Sequence, residues 1–159
     1  MRIAIPTLDD EFSIHFGKMD SLFICDLNLQ TGKYSKPLIV YRTNDDFRSP
    51  GHLLIDHSVE MVLAGGIHCS TISALENVGI DCCVGMQGKT PKDVLRNFIL
   101  QPDRIRTNAC PSAIDPAYHC DTACWYPAAT ELQPIKKSPL YSQPIMGMMV
   151  STVIFTELN

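Results

Sequence analysis

The pattern of apolar runs changes character near residue 42, and that change limits the fold more than any other feature. Before it stand the strand-like runs Arg2 to Pro6, Ser21 to Leu27 and Tyr34 to Tyr41. Ile3, Ala4 and Ile5 form a continuous apolar run that ends at a residue unable to donate to a ladder. Asn28 to Lys33, with Thr31-Gly32, reads as a hairpin connection, so the first third predicts an antiparallel meander. Arg42 to Gly51 is polar and reads as a loop before a short helix at His52 to His57. Strand–loop–helix units follow. Met61 to Ala64 runs into Gly65-Gly66 and a helix over Ser70 to Asn77, on which Ile72, Leu75 and Val78 recur at helical spacing. Gly79 ends that helix and Ile80 to Val84 supplies the last strand. Thr90 as cap, Pro91 at the first helical position and Asp93 near the positive end of the dipole open a final helix with Val94, Leu95, Phe98 and Ile99 on its apolar face. This order predicts an α/β domain over residues 1–102, built on a mixed five-stranded sheet flanked by helices.

Residues 103–159 read differently. Pro111, Pro116, Pro127, Pro134, Pro139 and Pro144 exclude long regular elements, so an irregular cysteine-containing C-terminal extension is expected. The apolar run Ile145 to Phe155 is too short to span a bilayer as a helix and is expected to dock as a strand or to make a homo-oligomer contact.

A formal net charge of -4 offers no basic field for nucleic-acid backbones, so no nucleic-acid partner is expected. The apolar run at the N-terminus is too short for a signal peptide or a membrane span, which predicts a cytoplasmic protein without a membrane partner. Seven cysteines, an odd count without an export signal, point to reduced thiols or metal ligands rather than a disulfide framework.

Chemistry-bearing residues collect in three places. Ser13-Ile14-His15-Phe16-Gly17 lies between two strand runs; Phe16 can anchor the loop in the core and Gly17 lets the backbone turn, leaving His15 directed outward. His15 is then either a chemical group or a residue that merely hydrogen-bonds the turn. Gly65-Gly66-Ile67-His68-Cys69 joins a strand to a helix, where unpaired N–H groups make a plausible anion cradle and His68 and Cys69 add metal-binding atoms. The alternative is that the glycines serve tight packing. In the extension Cys110, His119, Cys120 and Cys124 could enclose zinc or anchor an iron–sulfur centre, although their spacing matches no familiar finger or ferredoxin run, and the other reading is of exposed or packed cysteines. His52 and His57 do not share a helical face and read as exposed, while the side chains of Cys82-Cys83 must point to opposite faces of a strand and read as packing residues.

Ile3-Ala4-Ile5-Pro6-Thr7, then Ser13-x-His15-Phe16-Gly17, then Ala64-Gly65-Gly66-Ile67 and the step Gly79-Ile80 into a last strand resemble the dinitrogenase iron-molybdenum cofactor biosynthesis family. That family includes the NifX-like and NafY-like carriers and the C-terminal domain of NifB. The resemblance covers residues 1 to about 101. It implies a ribonuclease H-like fold and noncatalytic binding, carriage or sheltering of a metal–sulfur cluster, the iron–molybdenum cofactor or its precursor, between donor and acceptor proteins. His15 inherits a candidate ligand role from it, with Phe16, Gly17, Gly65 and Gly66 around the same pocket. The chemistry of the residues agrees, since a carrier must hold an anionic cluster through few exchangeable bonds, and imidazole, thiolate and backbone N–H groups suit that task. Nuclease chemistry would need carboxylates converging on magnesium, whereas Asp26 is the acid within the core strands, apart from Glu60 and Asp81 at strand edges. The competing reading is a noncatalytic interaction or regulatory module with a vestigial pocket and an assembly tail.

Overall fold

The computed structural model describes residues 1–42 and 49–115. His119, Cys120, Cys124 and the apolar run 145–155 lie outside the described residues.

The chain folds as β1 (Arg2–Leu8), β2 (Glu11–Phe12), β3 (Ser21–Asn28), β4 (Lys33–Tyr41), α1 (Pro50–Asp56), β5 (Met61–Leu63), α2 (Cys69–Asn77), β6 (Asp81–Cys83) and α3 (Pro91–Leu100). The sheet runs β4-β3-β1-β5-β6, with β3 and β4 antiparallel to their neighbours and β5 and β6 parallel. This five-strand path is the mixed α/β sheet expected from the meander followed by strand–helix units. A sixth strand, beyond the five expected, lies off this path: Thr7 and Leu8 pair with Phe12 and Glu11 in a tight hairpin. Asp9 and Asp10 make the bend at φ 52° and 63°, a conformation that aspartate tolerates better than most residues.

The sheet is packed on both sides, which explains why its short central strands are apolar without alternation. Ala4, Leu22, Ile24 and Val62 meet Leu53 and Leu54 of α1 and Leu75 of α2 on one face. Ile3, Ile5, Leu27 and Leu63 meet Val94, Leu95 and Phe98 of α3 on the other. The vicinal thiols divide as strand geometry requires, Cys82 packing with the first cluster and Cys83 with the second.

The expected start of α3 is present in full: the Thr90 hydroxyl accepts from the Asp93 N–H at 3.3 Å and the Asp93 carboxylate accepts from the Thr90 N–H at 2.9 Å. The bonds from Thr90 hold the Asp93 carboxyl below the usual carboxylate range. Its contribution is therefore complete above the ordinary carboxylate value and is lost as pH falls through the depressed one. Thr90→Ala should lower the unfolding free energy by about 1 kcal/mol; an unchanged urea midpoint would show that the box contributes nothing.

Among the described residues β4 is a sheet edge, and its Tyr34, Leu38, Ile39 and Tyr41 are all exposed. Its pairing with β3 slips between Ile24 and Asp26, opposite Lys36 at φ 51° and Pro37.

Candidate functional site

The site forms where the loop after β2 meets the turn after β5. Ile14 accepts a hydrogen bond from the Gly66 N–H at 2.7 Å, and the Phe16 N–H donates to the Gly66 carbonyl at 3.0 Å, so His15 and Gly66 are bridged as if in a parallel ladder. The sequence placed both segments at loops beside strands, and the structure brings them to one end of the sheet. Phe16 is 1% exposed and packs with the α1/α2 core, fixing the loop from below, while the Ser13 hydroxyl donates to the His15 carbonyl at 2.9 Å. Gly17 is buried behind the rim.

His15 itself is half-buried and stands with Lys18, Asp9 and Glu11 around an open pocket of about 550 Å³. Burial, followed by the nearby Lys18 ammonium, pushes its imidazole below the ordinary histidine value. The ring is thus neutral near pH 7 and has a lone pair to offer a metal. Lys18, Asp9 and Glu11 carry no spacing signal in the sequence; Asp9 and Glu11 reach the pocket through the hairpin of β1 and β2, and Lys18 through the single turn Phe16–Lys18 that follows His15. Glu11 is paired with Lys89 at 3.3 Å, which leaves Lys18 as the cation next to the imidazole.

The glycine turn is built for close approach. A Cβ on Gly65 would lie 2.7 Å from the Ile14 side chain and 2.9 Å from its carbonyl oxygen, and one on Gly66 would lie 2.6 Å from the Cys110 nitrogen. Tight packing, one of the two roles left open for these glycines, is therefore part of their task.

The anion cradle expected there is modified by the chain itself. Residues 106–112 return across the turn: Ala109 N–H donates to the Gly65 carbonyl at 2.9 Å, and the Asn108 amide pairs with the Ile67 backbone, accepting from its N–H at 3.1 Å and donating to its carbonyl at 2.8 Å. The Ser112 hydroxyl accepts from the Cys69 N–H at 3.1 Å. Two donors that were to face an anion are thus met by side chains of residues 108 and 112. Asn108 and Ser112 were missed, because their partners lie 41 and 43 positions away. His68 is 7% exposed and caps α2, its ring Nδ1 accepting from the Ser70 N–H at 3.2 Å. Cys69 Sγ lies 3.9 Å from the same Nδ1.

Cys110 is 3% exposed, with its Sγ 3.1 Å from the Ser112 hydroxyl. Among the described residues no group of three or more His, Cys, Asp or Glu is arranged to hold a metal ion. Burial raises the Cys25 thiol to about 11 and the Cys82 thiol to about 12, and also raises Cys83, so these thiols are protonated near neutral pH. Asp26 is held by Arg2 at 2.8 Å and by Lys36 at 3.5 Å. A second cavity, of about 490 Å³, lies between α3 and residues 104–107. Arg106 in its wall donates to the Gln101 carbonyl at 2.6 Å and the Asn97 carbonyl at 3.4 Å, closing the end of α3. No helix among the described residues is long and apolar enough to cross a membrane.

Comparison with known proteins adds three findings. A family model described as dinitrogenase iron-molybdenum cofactor matches residues 1–101. The crystal structure of PH0822 is similar at 27% identity and a TM-score of 0.56, over 62% of this chain and 88% of that one. The crystal structure of a dinitrogenase candidate from Methanocaldococcus jannaschii shares the fold at 16% identity and a TM-score of 0.52, over 63% of this chain and 88% of the other. No curated protein matches the chain.

Proposed function

The chain belongs to the dinitrogenase iron-molybdenum cofactor family, which ties it to the biosynthesis of that cofactor, and from this premise we propose that it is a noncatalytic carrier that binds and shelters a metal–sulfur cluster or its precursor as cargo. The observation that carries the proposal is the joining of the His15 loop and the Gly65–Gly66 turn by two backbone hydrogen bonds at one end of the sheet. One neutral imidazole beside one ammonium suits an anionic cargo that must be released again: the ring supplies a single exchangeable bond and Lys18 supplies opposite charge. Phe16 and Gly17 hold that ring in place, and the paired glycines admit close approach of backbone to backbone around it. Cys69 and His68, on the adjoining turn, are the candidate additional ligands. Donor and acceptor proteins of the cluster are the implied partners.

His15→Ala should keep the wild-type circular dichroism and urea midpoint while losing at least tenfold in affinity for tetrathiomolybdate, a molybdenum–sulfur anion, titrated anaerobically by its absorption. Equal affinity in the two proteins removes His15 from the site. Acid should also release the cargo. Because the folded pKa is depressed, the imidazole stays neutral until pH falls below the ordinary histidine value, so retention should hold through that value and fail only on its acid side. Release centred at or above the ordinary value would contradict ligation by this ring.

The covering of the Ile67 and Cys69 donors favours one other reading, that of an interaction module whose pocket no longer takes cargo. The same titration separates them, since such a module leaves tetrathiomolybdate unbound in wild type and variant alike.

A further inference from the structure

The geometry points to residues 106–112 acting as a removable strap, an internal stand-in that occupies the donors of the β5–α2 turn and must lift before an anion can reach them. Its polar contacts imitate those of a ligand. The Asn108 amide oxygen and the Ser112 hydroxyl accept from the N–H groups of Ile67 and Cys69, the positions where a strand–glycine–helix turn presents donors to an anion. The Ala109 N–H and the Asn108 amide nitrogen close the same turn from its carbonyl side.

Hydrogen bonds hold the strap: these four at the turn, and those from Arg106 at its base to the Gln101 and Asn97 carbonyls. Cys110 is its buried apolar residue, and the chain on either side points outward, with Ile105 97% exposed and Ile114 90% exposed. The strap also lies beyond the residues matched by the family model, which ends at 101. A segment with little buried apolar surface belongs to the low-stability end of a structure and opens without the core. Lifting it would return the N–H groups of Ile67 and Cys69 to solvent and uncover the Cys110 thiol beside Cys69. Loading and uncovering are then one event.

Two measurements on the full chain test this. In amide hydrogen exchange with site-resolved iodoacetamide labelling, the Ile67 and Cys69 amides and the Cys110 thiol should open together, at least a hundredfold faster than the amides of Ile5 and Leu63. The double variant Asn108→Ala/Ser112→Ala should label Cys110 at least tenfold faster with Ile5 and Leu63 still protected. Opening of the strap only together with Ile5 and Leu63 would overturn the inference, and the wild-type measurement decides this even should the variant fail to fold. The ligand arm rests on the function proposed above. Tetrathiomolybdate should bind the double variant at least fivefold more tightly and should accelerate Cys110 labelling in the wild type. Thiomolybdate bound with Cys110 still protected refutes competition; absence of binding to both proteins refutes the carrier reading instead, while the strap is judged on exchange and labelling alone.

Discussion

Phe16→Ala should lower the unfolding free energy by about 3–5 kcal/mol, the range for truncating a fully buried aromatic ring. Phe16 is among the largest side chains with almost no exposure, and it packs in the cluster that joins Ala4, Leu22, Leu54, Ala64 and Ile67. Against the total of roughly 5–15 kcal/mol typical of a domain, this single change removes a large part of the margin. Its effect on the site should be larger than its distance suggests. The ring is what pins the loop bearing His15, so the variant should lose thiomolybdate binding even where it remains folded. Urea denaturation and an anaerobic titration read the two effects separately; wild-type values in both would mean that the loop is held by its backbone bonds alone.

Gly85→Ala is the second large effect. Gly85 sits at φ +72°, a conformation that costs an L-residue about 1–2 kcal/mol. An added Cβ there would also lie 2.5 Å from the Thr107 carbonyl oxygen and 2.6 Å from the Arg106 Cβ. Overpacking of this kind costs about 1–3 kcal/mol, so a rigid molecule would lose about 2–5 kcal/mol. The Gly85 N–H is bonded to the Gly65 carbonyl inside the turn, so the strap is the side that yields. The measured loss should therefore fall toward the lower end of that range, with Cys110 labelling raised. Gly66→Ala, whose clash is with Ala109 and Cys110 at a position without positive φ, should raise labelling with a smaller loss of stability. Undisturbed Cys110 protection in both variants would show that the strap does not rest where these contacts place it.

The elements that the residues announce locally are the ones legible in advance. Thr90, Pro91 and Asp93 mark the start of α3 to the residue, because a capping box is satisfied within four positions. Continuous apolar runs marked β1, β3 and β5, since a strand covered on both faces needs no alternation. The hairpin at Asp9–Asp10 was hidden because its second strand is two residues long, too short for any periodicity. α2 begins at Cys69 because a histidine side chain caps it, a role outside the usual oxygen-bearing caps. The two segments that meet in the candidate site, around His15 and the paired glycines, were legible in outline; what could not be read was the use of Asn108 and Ser112, whose hydrogen bonds join positions with no sequence relation.

The interrupted border at Lys36–Pro37 bears on how this protein survives its own concentration. Without the slip, nine residues carrying tyrosines, a leucine and an isoleucine would offer a straight ladder to any neighbouring chain, the geometry from which fibrils grow. A proline that cannot donate and a lysine twisted out of the plane break that ladder midway. The apolar side chains along the border can thus remain in contact with water while the break in the backbone ladder discourages polymerisation.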